Sequence, residues 1–274
     1  MLLNYITWDV DPEIFPVGPL SIRWYGLLFA AAFYFSYLIV RRMFKKEGVS
    51  DEVLDRLTLY VFVGTVVGAR LGHCLFYEPG YYLSNPVEII KIWKGGLASH
   101  GGAIGIIFAL YLFVRKEKKP YIWILDRIAV VAAISGFFIR MGNLFNSEIY
   151  GYETDLPWGF IFVKAGETVP KHPTQIYEAL AYLLIFILLY SIYNRSPKGN
   201  TKPGMLFGWF LILTFAARFF IEFLKEVQVE AEKGWNLKLG QSLSIPFILT
   251  GLIILYFAYR NPKRLNKKYK AEPE

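Results

Sequence analysis

The residues best equipped for chemistry lie in one stretch, Ile139-Arg140-Met141-Gly142-Asn143-Leu144-Phe145-Asn146-Ser147-Glu148-Ile149-Tyr150-Gly151. An apolar run that begins at Ile122 ends on an arginine, and two asparagines, a glutamate and two glycines follow among aromatics. A guanidinium presents five N–H donors in a planar fork that suits phosphate oxygens. The asparagine amides add neutral donors beside it, and Glu148 supplies a carboxylate able to orient the cation. This set supports the holding of a phosphate. Its place at the end of an apolar run makes a lipid phosphate the fitting ligand.

The elements that must position this stretch are membrane helices. Of the 274 residues 55% are apolar and only 19% are charged, where soluble domains have about 45–50% and about 25%. The charges are clustered, and the apolar runs between them, roughly 18–25 residues each, are long enough to cross a bilayer. The expected fold is an all-α polytopic membrane protein, with one catalytic domain over residues 1–260. Outer-surface segments are expected around 142–173 and 226–240, and a basic cytoplasmic tail at 261–274. The net charge of +8 does not point to nucleic acid, because the basic residues sit in the connections between apolar runs, the pattern of membrane orientation. With Cys74 as the single cysteine, no internal disulfide can form. The opening residues carry Asp9, Asp11 and Glu13 and no lysine or arginine before Arg23, so a cleaved signal with a basic start is not expected.

Seven spans are read, at 20–44, 57–77, 96–114, 121–139, 174–193, 204–224 and 242–259. Most lysines and arginines outside the apolar runs gather at the ends of the first, third, fifth and seventh spans and in the connections after them, including Arg41-Arg42, Lys45-Lys46, Arg115-Lys116 and Lys267-Lys268; the other connections hold fewer. Positive-inside orientation therefore predicts the N-terminus outside and the C-terminus in the cytoplasm.

That orientation brings polar residues of six spans to one depth near the outer face: Tyr25, Arg70, His100, Arg140, Gln175 with Glu178, and Arg218 with Glu222. An ionisable group at membrane depth costs at least about 2.5–3.5 kcal/mol on insertion scales, which marks it as a functional candidate. The inner halves of the spans are nearly free of such groups, so a shared polar chamber is the economical reading. Arg218 and Glu222, four residues apart, can also be read as a structural ion pair. The paired glycines around His100 can serve helix packing or let a lipid approach a histidine that titrates near neutrality. His73 and Cys74 read as structural, and Asp126 as a partner of Arg127 or Lys119.

The segment Arg140 to Gly151 resembles the signature of bacterial prolipoprotein diacylglyceryl transferases, roughly G-R-x-G-N-F-x-N-x-E-x-x-G. Further blocks are similar, in order: Arg23-Trp24-Tyr25-Gly26, Gly68-Ala69-Arg70-Leu71-Gly72, Gly96 to Gly102 around His100, His172-Pro173-Thr174-Gln175-Ile176-Tyr177-Glu178, and Arg218-Phe219-Phe220-Ile221-Glu222-Phe223. The resemblance covers about residues 20–225. Departures are Ile139 and Leu144 within the signature, Thr214 where some members carry tyrosine, and the lack of an Arg-x-Pro-Asp-like continuation after Phe223.

The resemblance implies transfer of the diacylglyceryl group of phosphatidylglycerol onto the lipobox cysteine thiol of a prolipoprotein signal peptide, with release of glycerol phosphate. It also implies a multi-pass protein of the bacterial plasma membrane whose active site faces the outer leaflet. The nucleophile then belongs to the substrate, and no cofactor or metal is called for. On this reading Arg140 and Arg218 clamp the departing phosphate and His100 is the base for the thiol. Asn143 and Asn146 donate to the headgroup. Tyr25, Arg70 and Gly151 complete the chamber, and Glu148, Glu178 and Glu222 orient the arginines. Two other classes were weighed. A transporter for an anionic solute calls for polar groups leading to both faces and for repeat symmetry, neither of which is visible. An intramembrane serine protease calls for a glycine-bounded serine, which Ser135-Gly136 does not provide.

Overall fold

The computed structural model describes residues 5–17, 20–226 and 237–261. The expected basic tail, apart from Asn261, and most of the expected 226–240 surface segment lie outside these residues. The described residues form two compact units, one from those in 5–40 and 126–261 and the other from 41–125.

The helices run α1 Trp24–Glu47, α2 Asp51–Phe76, α3 Pro79–Ser84, α4 Pro86–Ile90, α5 Ser99–Glu117, α6 Tyr121–Phe145, α7 Thr174–Arg195, α8 Met205–Ile221 and α9 Leu239–Arg260. Among the described residues, six segments are long and apolar enough to cross a membrane: α1, α2, α6, α7, α9, and α8 with its 3₁₀ extension to Leu224. The seventh expected span, α5, forms a helix but is not among those six. Ser99-His100-Gly101-Gly102 at one end and Arg115-Lys116-Glu117 at the other shorten its apolar stretch. Short strands accompany the helices, β1 Ile6–Trp8, β2 Glu13–Val17, β3 Leu20–Arg23 and β4 Phe160–Phe162. β3 is the reason α1 starts at Trp24 rather than at Leu20: Leu20 to Arg23 pairs antiparallel with β2 instead of opening the helix.

In the first unit, one end of the helices is built around α6. This helix continues through Arg140, Gly142 and Asn143 to Phe145, six residues beyond the expected boundary, so Arg140 and Asn143 are helical neighbours at i, i+3 rather than loop residues. Gly142 lets the Tyr25 ring pack against the helix, because a Cβ there would stand 2.7 Å from that ring. Beyond the helix, Leu144, Phe160 and Phe162 form a small core with Trp8, Met141, Tyr150 and Ile176 against it. Here β1 pairs in parallel with β4, and the Trp8 indole donates to the Leu144 carbonyl at 3.0 Å, satisfying an acceptor near the α6 end. At the opposite end, Asp126 accepts from the Gly204 and Phe207 amides at 2.8 and 2.9 Å. With 1% exposure Asp126 serves the N-terminus of α8, in addition to the electrostatic interaction with Arg127 expected of it. α8 packs on α9 through Gly208 and Gly251 and a Phe215–Phe247 stack at 4.2 Å.

In the second unit, α2 and α5 cross at glycines. A Cβ on Gly64, Gly68, Gly72, Gly101 or Gly105 would run into the backbone of the facing helix. Of the glycines around His100, Gly101 therefore serves close helix packing, the plainer of the two expected roles. Arg56 and Glu117 close the far end of the pair with a bidentate contact at 2.7 and 3.2 Å. Large apolar side chains such as Leu59, Phe62 and Val67 stay exposed along α2, as a lipid-facing surface requires.

Candidate active site

In the first unit, five helix ends meet at the Arg140 end of α6. Arg140 is mostly buried, and its guanidinium is held on several sides. Nη1 donates to Asn143 Oδ1 at 3.1 Å. Nε lies 2.8 Å from Glu178 Oε2 on α7, as an ion-pair contact rather than an aligned hydrogen bond. Tyr182, one turn further along α7, hydrogen-bonds the same group. Asn143 is 5% exposed and both ends of its amide are engaged, since Nδ2 donates to Glu148 Oε1 at 2.8 Å. Only this orientation of the amide satisfies a cation on one side and a carboxylate on the other. Asn146 Nδ2 meets the same Glu148 oxygen at 3.2 Å, which leaves Asn146 Oδ1 buried without a hydrogen-bond partner. Glu148, which is exposed, therefore orients the two amides directly and Arg140 through Asn143.

The turn after α6 is strained. Ser147 and Ile149 adopt positive φ, 54° and 62°. For a β-branched residue this costs about 1–3 kcal/mol and persists only where the surroundings impose it. The first two residues of α7 impose it here. Thr174 Oγ1 donates to the Ile149 carbonyl and Gln175 Nε2 to the Glu148 carbonyl, both at 2.8 Å. Gly151 follows, pressed so close to Leu224, His172 and Thr174 that a Cβ has no room. Its amide donates to the His172 carbonyl at 2.9 Å, and it forms an antiparallel bridge with Lys225. Nearby, Trp24 stacks on Phe145 at 4.9 Å.

Arg218 lies near the end of α8, partly buried, beside Tyr182. The possible ion pair with Glu222 is not formed. Glu222 Oε2 instead faces Lys225 Nζ at 3.4 Å, and among the described residues no carboxylate pairs with Arg218. Lys225 is 2% exposed and also donates to Glu178 Oε1 at 2.9 Å. Lys238, just before α9, donates to the Glu222 carbonyl at 2.9 Å and to the Lys225 carbonyl. Lys225 and Tyr182 were missed at the level of sequence. Lys225 was counted only as a loop charge, although Arg218, Glu222 and Lys225 share a helical 0-4-7 spacing that could have placed all three on one face. Thr214, the departure on α8, has a buried hydroxyl with no hydrogen-bond partner.

Arg70 and His100 belong to the second unit. The surroundings of Arg70 do not favour the substrate contact expected of it. It is 4% exposed, and its nitrogens donate to the carbonyls of Glu88 (2.5 Å), Ile89 (2.8 Å), Gly95 (2.6 Å) and Gly96 (3.2 Å). The guanidinium also lies 4.9 Å from the Tyr82 ring centroid. Its donors are committed to shaping the 88–96 segment. His100 is the second residue of α5, exposed, between the rings of Phe76 and Tyr77 at 5.7 and 5.8 Å. His73 packs on Tyr77 and Tyr82, in keeping with its expected structural role. Ser135, weighed as a nucleophile, shares a 3.0 Å hydrogen bond with Ser36.

The fold and this site define a multi-pass helical membrane protein with a cluster of cations, carboxylates and amides at the ends of helices in its first unit. Comparison with known proteins gives the family. The family model described as prolipoprotein diacylglyceryl transferase matches residues 12–257, and the chain belongs to that family. A relative from Tolumonas auensis is 46% identical over 94% of this chain and 99% of its own length. Relatives from Chloroherpeton thalassium (44% identical, 92% of this chain and 94% of the relative) and Porphyromonas gingivalis (46%, 94% and 96%) are similar over nearly as much. All three are named phosphatidylglycerol–prolipoprotein diacylglyceryl transferase.

Proposed function

We propose that this chain transfers the diacylglyceryl group of phosphatidylglycerol to the lipobox cysteine thiol of a prolipoprotein, forming a thioether and releasing glycerol phosphate. The substrate sulfur attacks C3 of the diacylglyceryl moiety, and the bond from C3 to the phosphate oxygen breaks. The thiol proton passes to a base, and the electron pair leaves with the phosphate. Family membership supports the reaction. The site observation that carries it is the presence of two cations in the first unit, with Arg140 fixed by Asn143 and Glu178 while Arg218 stands beside Tyr182 with no carboxylate partner among the described residues. A fixed cation positions a phosphate, and an uncommitted one stabilises the charge that builds on it as it leaves.

In this reading Arg140 and Arg218 hold the phosphate and Asn146, with Tyr25, borders the headgroup. Asn143, Glu148, Gly151, Glu178 and Glu222 fix the geometry around them. His100 is the proposed thiol base, and Arg70 contributes by shaping the segment that leads into α5. α5 is a seventh span, and residues 1–260 act as one catalytic domain, a reading supported by a family match that runs through both units. The basic clusters 41–46, 115–119 and 260–270 face the cytoplasm. The N-terminus and the site then face the outer side of the bacterial inner membrane, and the partners are phosphatidylglycerol, prolipoprotein signal peptides and surrounding lipid.

The test is to incubate membranes carrying the chain with acyl-labelled phosphatidylglycerol and a lipobox peptide and to follow label on the cysteine. Arg140→Ala is expected to lower transfer by about 10²–10³-fold, the loss typical of a removed oxyanion donor. Full transfer by that variant would exclude the clamp, and full transfer by His100→Gln would exclude the histidine as base.

A further inference from the structure

The buried charges around Arg140 form a chain of alternating sign. Arg140 Nε meets Glu178 Oε2 at 2.8 Å, and Glu178 Oε1 accepts from Lys225 Nζ at 2.9 Å. Lys225 Nζ then faces Glu222 Oε2 at 3.4 Å. Two cations and two carboxylates balance, and Arg218 stands outside the series. The side chains of Glu178, Lys225 and Glu222 are 0%, 3% and 8% exposed, so solvent does little of the neutralising.

Removing Lys225 from this arrangement leaves two carboxylates facing two arginines. Glu222 lies one turn from Arg218 on the same helix face, within ordinary i, i+4 pairing distance. It would turn to Arg218, and the cation otherwise open to a phosphate would be spent inside the protein. We infer that Lys225 is a positioning residue whose ammonium occupies Glu222 and shares Glu178, and so keeps Arg218 free for the anionic substrate and Arg140 in line. Its main chain reinforces the role: the Tyr152 amide donates to the Leu224 carbonyl at 2.8 Å, and Lys225 is bridged to Gly151, so the ammonium is anchored to the turn that follows α6.

The inference rests on the proposed transfer reaction, and the same assay separates the two. Parent, Lys225→Met, Lys225→Arg and Lys225→Met/Glu222→Gln are compared at matched membrane abundance with acyl-labelled phosphatidylglycerol and a lipobox peptide. Lys225→Met is expected to lose about 10²-fold in transfer, the lower end of what an unpaired buried charge costs. Lys225→Arg is expected to stay within about threefold of parent. The double variant removes the orphaned carboxylate along with its partner and is expected to recover at least about tenfold over Lys225→Met. A double variant no better than the single one would show that the loss does not run through Glu222. That result, or full transfer by Lys225→Met, overturns the inference while leaving the reaction intact. No transfer by the parent overturns both. If Lys225→Met does not accumulate, the double variant decides alone: transfer within about tenfold of parent is expected, and none at normal abundance overturns the inference.

Discussion

Arg70→Lys separates a cation that touches substrate from one that builds the protein. Arg70 makes four hydrogen bonds, to carbonyls at positions 88, 89, 95 and 96. A lysine keeps the charge but places its three donors on one atom, which cannot reach carbonyls spread over that length and holds about two of them. Hydrogen bonds to a charged group contribute about 1.5–3 kcal/mol each, so two lost bonds amount to about 3–6 kcal/mol before relaxation. A local rearrangement that recovers half leaves about 1.5–3 kcal/mol, roughly 10- to 100-fold in the opening equilibrium of the segment. The assay is hydrogen exchange of amides 87–98 in detergent or nanodiscs, read beside transfer kinetics. Arg70→Lys is expected to speed exchange there by about 10- to 100-fold and to lower kcat, with little change in KM for phosphatidylglycerol. Unchanged exchange together with a raised KM would refute the reasoning and return Arg70 to the substrate.

Two other predictions concern stability. Asp126→Ala leaves the Gly204 and Phe207 amides without their acceptor in a buried setting. It is expected to cost about 2–4 kcal/mol, read as a drop in the thermal midpoint in detergent, while transfer at low temperature persists. His172 is held below the ordinary histidine value by burial. The unfolded chain therefore binds its proton more readily, so stability is expected to fall as pH drops below about 6.5 and to be flat above it. Thermal unfolding from pH 5 to 8 tests this, and His172→Gln is expected to remove that part of the slope.

Hydropathy and the placing of charge were enough to locate the long apolar helices, because a membrane segment must be apolar over its whole length whatever it packs against. The same logic misplaced several boundaries, two of them at the site. Arg140 was read as leaving the membrane, yet α6 runs on to Phe145, since Glu178 supplies its counter-charge and the Tyr25 ring fits the space at Gly142. Leu20 to Arg23 were read into a span because they are mostly apolar, but a strand partner, β2, claims them. The site residues on α6, α7 and α8 were visible as buried charge. The partners of those charges were not. Arg70 looked like a ligand group because a buried arginine is rare, and its carbonyl acceptors, 18 to 26 residues away, leave no sequence mark. Lys225 was visible only as a charge beyond the last apolar turn, where lysines usually sit in solvent.

These differences in partnership matter for the chemistry. Expelling glycerol phosphate adds negative charge to the leaving group, so the groups that accelerate the step bind it more tightly late than early. A cation whose donors are committed to carbonyls, as those of Arg70 are, has little to offer such a change. A cation paired on one side, as Arg140 is with Glu178, has a fixed direction and remaining donors, which suits holding the phosphate both before and during departure. A cation with no carboxylate partner among the described residues, as Arg218 is, would gain most as the charge grows. In the proposed mechanism the carboxylates around the site therefore act by allocation. There Glu178 and Glu222 set which arginine remains open to the phosphate, and Lys225, which contacts both, sets how much of their charge reaches Arg218.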